Sequence, residues 1–251
     1  MKRIILLQCF FLAAIWVATA QTQTTFNERY KATVKGDMIV VGNTVIGTTK
    51  TGDYNGGGDN NGTVQVYVDI DDDPTTFNSS SAEVKDPNPS GVCPRIVKKA
   101  YLYWAGNAET TIVNNSEKVK FKIDNGSYYD ILGTAILRQN NLYIYRADVT
   151  DKLTKVAGTY TVANVQIANG RLNSAAGWVL FIVYEDTSKP ARNISLFDGS
   201  TVVTEKKHPT VKVSGFKTVP APLPVNAKLA FAALEGDASG GGDRMRITTI
   251  K

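Results

Sequence analysis

The segment Gly177-Trp178-Val179-Leu180-Phe181-Ile182-Val183-Tyr184 constrains the fold more than any other, because it is apolar or aromatic on both alternating faces of an extended chain. Such a strand belongs in the middle of a sheet with protein on both sides. The rest of the sequence supplies partners of the right kind. Period-two alternation and β-branched or aromatic enrichment mark strands at Lys31–Lys35, Met38–Ile46, Thr63–Ile70, Ile96–Trp104, Lys118–Ile123, Leu142–Arg146, Tyr160–Ile167, Trp178–Glu185 and Asn193–Phe197. Further candidates follow at Thr201–Glu205, Thr210–Val213, Ala227–Leu234 and Arg244–Ile250, the third of these apolar on both faces as well. Asn61-Gly62, Asn125-Gly126 and Asp198-Gly199 are turn pairs that accept positive φ or hydrogen-bond their own backbone.

No long segment keeps a helical period, and the only helical turn expected is Asp148–Leu153 with Thr150 as its cap. The expected fold is therefore all-β: an antiparallel β-sandwich, jelly-roll-like, with Gly/Asp-rich loops. Lys118–Ile123 alternates cleanly, which places Val119, Phe121 and Ile123 inward and three lysines on a wet face. Pro220, Pro222 and Pro224 cannot donate to a ladder, so Val219–Val225 reads as an extended crossing between sheets.

The N-terminus sets the compartment. Lys2 and Arg3 precede an apolar stretch from Ile4 to Val17, and Ala18, Thr19 and Ala20 form a small-residue cleavage site before Gln21, so residues 1–20 read as a secretory signal peptide. Cys9 lies inside the apolar region and does not make this a lipoprotein signal. Residues 21–251 are long enough for one large β domain, and the loop Gly236–Asp243 followed by a strand with no closing turn suggests the N-terminal part of a longer protein, with further domains beyond it. Formal charge is +5, and loss of Lys2 and Arg3 lowers it further; so weak a balance gives no reason to expect nucleic acid as a partner. Once Cys9 is removed, Cys93 has no partner for an intrachain disulfide, leaving it a small buried hydrophobe or a residue that pairs outside this chain. Outside the signal no apolar run approaches the roughly 20 residues that span a bilayer, so no transmembrane segment is expected.

The densest acidic cluster is Val68-Asp69-Ile70-Asp71-Asp72-Asp73-Pro74, after a Gly/Asp/Asn-rich stretch that contains Asp59. Crowded carboxylates repel one another unless a cation neutralises them, and Ca²⁺ takes such oxygen ligands, which makes Asp69, Asp71, Asp73 and Asp59 candidate metal ligands. The spacing is not that of an EF-hand, since Pro74 stands where glycine is required. The alternative is a solvated acidic turn. A second set comprises Glu185, Asp186, Asp198, Glu235 and Asp237, any two of which can be imagined as a glycosidase pair, although strand-end acids more often cap turns or pair with arginines such as Arg192 and Arg171. The single histidine, His208, sits beside Pro209 and two lysines in what reads as an exposed turn, and no zinc-protease, nucleophile-elbow or Walker motif occurs, so no catalytic residue is assigned.

For glycans, the candidates are Tyr101 and Tyr103 on one strand face, Tyr143 and Tyr145 in the same arrangement, and Lys118, Lys120 and Lys122, which could attract an anionic polysaccharide. Ordinary cross-strand packing and edge protection account for the same residues.

Several phrases together carry a family resemblance: Tyr67 to Ser81, Ala100-Tyr101-Leu102-Tyr103-Trp104-Ala105-Gly106, Ala176-Gly177-Trp178, Val183-Tyr184-Glu185-Asp186, and Arg192-Asn193-Ile194-Ser195-Leu196-Phe197-Asp198-Gly199. The chain resembles the N-terminal region of large secreted surface proteins of gliding and related Bacteroidota. The resemblance implies a β-rich, non-enzymatic head on a multidomain protein, exported by the Sec system and then across the outer membrane by the type IX route, with gliding-motility-associated relatives. It carries over no catalytic or ligand residue. The expected function is a secreted, extracellular or cell-surface module with an adhesive or structural role, stabilised by calcium at the aspartates. The alternatives are a lectin-like domain that holds a surface polysaccharide, and a glycoside hydrolase using two of Glu185, Asp186, Glu235 and Asp237.

Overall fold

The computed structural model describes residues 26–50, 62–87, 89, 93–107, 114–139, 141–201, 209–216, 218–220 and 222–233. Among them the fold is all-β and every strand pairing is antiparallel. The strands are β1 (Asn27–Thr44), β2 (Ile46–Gly47), β3 (Val66–Tyr67), β4 (Ser79–Val84), β5 (Ile96–Asn107), β6 (Lys118–Ile123), β7 (Tyr129–Leu132), β8 (Thr134–Gln139), β9 (Leu142–Asp148), β10 (Gly158–Ala163), β11 (Ala175–Glu185) and β12 (Ala191–Asp198). They form a six-stranded sheet in the order β12-β1-β11-β5-β9-β8, a four-stranded sheet in the order β4-β10-β6-β7, and the small pair β2-β3.

β11 contains the doubly apolar segment, and both of its faces are covered. Trp178, Leu180, Ile182 and Tyr184 join Leu102 and Trp104 of β5, Val119 and Phe121 of β6, and Tyr160 and Val162 of β10 in one buried cluster, so the two larger sheets share a core. On the opposite face, Val179 and Phe181 pack with Tyr101 and Tyr103 of β5, Leu196 of β12 and Tyr30 of β1. Ring contacts order the core: Trp104 stacks on Tyr145 at 5.9 Å, and Phe121 on Tyr160 at 6.1 Å.

β1 is one strand where alternation predicts two. Its first half, to Lys35, pairs with β12, and its second half, from Gly36, pairs with β11. Gly36-Asp37, between the two expected strands, stays extended and pairs with β11, and a Cβ on Gly36 would lie 1.9 Å from the Tyr184 carbonyl oxygen. Close backbone approach, not chain reversal, is what this glycine supplies.

Other elements also depart from the sequence pattern. β4, Ser79–Val84, has no apolar alternation to announce it; its buried Ser80 hydroxyl accepts the Trp178 indole N–H at 2.8 Å, so this serine serves as a polar partner for a group from the facing sheet. Of the expected strand Thr63–Ile70 only Val66–Tyr67 forms a ladder. Thr150–Lys152 forms the expected helical turn, but its cap position is Val149, while the Thr150 hydroxyl donates to Asp148 Oδ1 at 2.5 Å and accepts from Ala100 N–H at 2.9 Å. Thr210–Val213 and the described part of Ala227–Leu234 are not strands, and Leu229 and Phe231 are exposed. Among the described residues, no strand follows Val219–Val225. Thr201 is described and is not in a strand; the rest of Thr201–Glu205, apart from that residue, lies outside the described residues, as does Arg244–Ile250.

Gly36→Ala should lower unfolding stability by about 2 kcal/mol, the usual cost of forcing atoms into a filled position. Gly62→Ala, where an added Cβ meets nothing within 4 Å, should leave it unchanged. Urea unfolding of the two variants checks this.

Candidate functional site

The aspartate loop enters the fold through Val68, which is buried and donates its N–H to Val45 O at 3.0 Å, and leaves through Ser79, whose N–H bonds Val68 O at 2.9 Å. Between these anchors the chain reverses, with Asp72 at φ 47°, a conformation that aspartate tolerates better than most residues. The reversal turns Asp69 and Asp71 toward the Ser79 hydroxyl, which lies 2.9 Å from an oxygen of each.

Asp71 is the best-connected carboxylate of the loop. Oδ1 faces the hydroxyls of Ser79 and Thr76 at 2.9 and 3.3 Å; Oδ2 accepts from Lys122 Nζ at 3.2 Å and from the Tyr128 hydroxyl. Lys122 also stands 4.4 Å from the centroid of the Tyr128 ring. Burial is the largest single influence on Asp71 and opposes its ionisation, but the bonds from Tyr128, Ser79 and Lys122, with the Lys122 charge, together outweigh it and hold the carboxyl at about 2. The Tyr128 phenol moves the other way, raised first by burial and then by its bond to Asp71. Asp73 is turned outward and accepts both the N–H and the hydroxyl of Thr75 at 2.8 Å, which lower its pKa.

The carboxylates that sequence groups as calcium ligands are thus met by hydroxyls and a lysine. Among the described residues, no group of three or more His, Cys, Asp or Glu side chains is arranged to hold a metal ion. Asp59 lies outside the described residues.

The tyrosine faces require a correction. Tyr101 and Tyr103 are only 8% and 9% exposed, because the start of β1 and β12 lie over them. Tyr143 and Tyr145 are buried in the main core. None of the four presents a ring face on which a sugar could stack, so the exposed tyrosine ladder does not exist. The lysines do line an open face. Lys118 is exposed, Lys120 pairs with Asp130 at 3.0 Å, and Lys122 pairs with Asp71.

The second acidic set is dispersed. Asp198 is buried at the end of β12, where Oδ1 accepts from Arg29 Nε at 2.5 Å and Oδ2 from Arg146 at 2.5 Å and the Tyr103 hydroxyl at 3.2 Å. Glu185 faces Lys98 at 3.6 Å, and Asp186 closes the turn after β11 by accepting the Ser188 N–H and hydroxyl. Arg192 pairs with Asp37, and Arg171 forms a β-bridge with Gln65. Glu235, Asp237 and His208 lie outside the described residues. Cys93 is partly exposed and free.

Two open depressions flank the β6-β7 pair. One, of about 340 Å³, is lined by Asp130, Leu132, Thr134, Arg146 and Asp148; the other, of about 280 Å³, by Ile70, Asp71, Lys122, Asn125, Thr159 and Thr161. Sequence reasoning missed Tyr128, Ser79 and Asp130, and with them Arg29 and Arg146, since each gains its role from a residue distant in the chain.

No protein-family model matches the chain, and no curated protein or solved structure matches it either.

Because the folded pKa of Asp71 is depressed below its unfolded value, its contribution to stability is fully present above about pH 4 and is lost as pH falls from there toward 2. Acid titration of urea stability should show that loss, and Asp71→Asn should flatten it. Since protein donors already meet the loop carboxylates, the melting midpoint should be the same with excess Ca²⁺ and with chelator; a rise with Ca²⁺ that Asp69→Asn abolishes would place a cation in the loop.

Proposed function

We propose that this chain is an exported, non-enzymatic β-sandwich module, jelly-roll-like in its connections, with a structural or adhesive role at the cell surface, as the head of a larger secreted protein of the Bacteroidota kind. The signal-like residues 1–20 support export. The shared core of the two larger sheets supports the sandwich.

The observation that carries the structural role is the use the fold makes of its carboxylates. Asp198 ties β12 to β1, β5 and β9; Asp71 ties its loop to β4, β6 and Tyr128; Asp186 closes the turn between β11 and β12. Acids placed as cross-ties between strands make a stiff body, and stiffness is what a displayed module requires. The glycoside-hydrolase alternative receives no support from Glu185 and Asp186, whose carboxylates serve an ion pair and a turn. Calcium is not required by the proposal, because Asp71 is neutralised by Lys122.

Production of the full chain in a Bacteroidota host should give a product that begins at Gln21 and is degraded when protease is added to intact cells. Retention in the cytosol with residues 1–20 still attached would overturn the reading.

A further inference from the structure

We propose that the free edge of β1 between Met38 and Gly42 is a strand-acceptor site whose occupant is the chain's own run Leu229–Ala233, which closes onto it as a parallel strand. The closure is a property of the folded chain and goes beyond the export and structural reading.

The second half of β1 has one strand partner, whereas β11 has two. From Gly36 to Thr44 it pairs with β11 along one edge, and β12 pairs only with residues up to Lys35. The backbone bonds show which residues face the other edge. The Met38 N–H donates to Asp37 Oδ1 at 2.8 Å, and the Met38 carbonyl accepts from Lys228 Nζ at 3.3 Å. The Thr44 N–H donates to Asn43 Oδ1 at 2.8 Å, and the Gly36 carbonyl accepts from Arg192 at 2.6 Å. Backbone direction alternates along an antiparallel pair, so Val40 and Gly42, which lie between Met38 and Thr44, turn their N–H and C=O groups the same way. Among the described residues, no strand meets them there. The Asn43 side-chain amide donates to Ser81 O of β4 at 2.8 Å, which marks the far end of the open stretch.

The run lies beside this edge. Residues 215 and 216 rest against the start of β1: a Cβ on Gly215 would lie 2.9 Å from Lys31 Nζ, and the Phe216 ring is 5.8 Å from that of Phe197, the partner of Glu28. Lys228 rests against the middle of β1, 3.7 Å from Asp37 Oδ1. The chain therefore follows β1 in the same direction, and its continuation sets Ala230 beside Val40 and Ala232 beside Gly42. In a parallel ladder Val40 then bonds Leu229 O and the Phe231 N–H, and Gly42 bonds Phe231 O and the Ala233 N–H. The side chains agree with that placement. Met38, Ile39, Val40 and Val41 are apolar on both faces yet only half-buried, while Leu229 and Phe231 are 59% and 63% exposed, so each segment supplies the cover that the other lacks. The contact at Lys228 selects the occupant. A segment held next to its site competes at an effective concentration on the order of millimolar, which a second copy in dilute solution does not reach. An open edge is a template for pairing with other chains, and the closed run guards it.

Amide hydrogen exchange of the full-length chain, read residue by residue by NMR at two protein concentrations, tests the closure. The Val40, Gly42, Phe231 and Ala233 amides should exchange at least about tenfold more slowly than in an unstructured peptide. Phe231→Pro removes the N–H offered to Val40 O, and Lys228→Ala removes the contact to Asp37 and Met38; each should return the Val40 and Gly42 amides toward the unstructured rate. The amides of β11 and β5 should stay protected in both variants, which separates loss of the closed strand from unfolding. Exchange of the four amides at the unstructured rate in the parent, or protection of Val40 and Gly42 unchanged in either variant, would overturn the proposal. Protection that appears only at the higher concentration, with a dimer on size exclusion, would overturn it as well by placing a second copy in the site. Failure of surface display would leave this measurement untouched, and failure here would leave the export and structural reading standing.

Discussion

The need to cover both faces of β11 organises the molecule. A strand with Trp178, Leu180, Ile182 and Tyr184 on one side and Val179, Phe181 and Val183 on the other has no side to give to water. The first side is met by the four-stranded sheet, through Phe121, Tyr160 and Val162. The second is met by the first half of β1 and by β12, through Tyr30, Leu196 and Ile194, with β5 alongside. This is why β1 runs unbroken for 18 residues and divides its pairing between β12 and β11, and why Gly36, at the change of partner, leaves room for the Tyr184 carbonyl.

The two coverings are unequal in kind. The main core is large and aromatic, and dispersion with apolar burial suffices to hold it. The outer covering has few buried apolar residues, and Asp198 lies beneath it with Arg29 from β1, Arg146 from β9 and Tyr103 from β5. A buried carboxylate with two guanidinium partners adds little net stability over an apolar packing, but it penalises any arrangement that separates the partners. The interaction therefore sets where β12 lies. The aspartate loop repeats the device at the surface, where Asp71 makes its loop conform to Ser79, Tyr128 and Lys122.

The elements most legible in the sequence are those whose side chains report burial directly. Lys118–Ile123 is a strand with the expected bounds, and Trp178–Glu185 is the two-sided strand its composition requires. β4 is hard to read because two of its three buried positions are serines, which acquire a reason to be inside only when Trp178 and the loop aspartates are placed beside them. Ala227–Leu234 fails in the other direction: its composition suits a strand, yet its described residues have no ladder. Period and propensity describe what a segment can do, and a ladder needs a second segment in register. The candidate site divides in the same manner. The aspartates and lysines are visible as clusters, whereas the Asp71–Lys122 and Lys120–Asp130 pairs that change their meaning join residues from separate elements.

The sequence by itself determined the all-β class, the position of the central strand, the inward and outward faces of β6 and the signal-like N-terminus, because each depends on local alternation or local composition. Only the tertiary structure decided that the tyrosines of β5 and β9 are packed inside, that Asp69 and Asp73 meet hydroxyls while Asp71 also meets Lys122, and that Lys120 faces Asp130. Those outcomes depend on which strands become neighbours. Neighbours are chosen by the simultaneous burial of surfaces far apart in the chain, a condition that no single segment records.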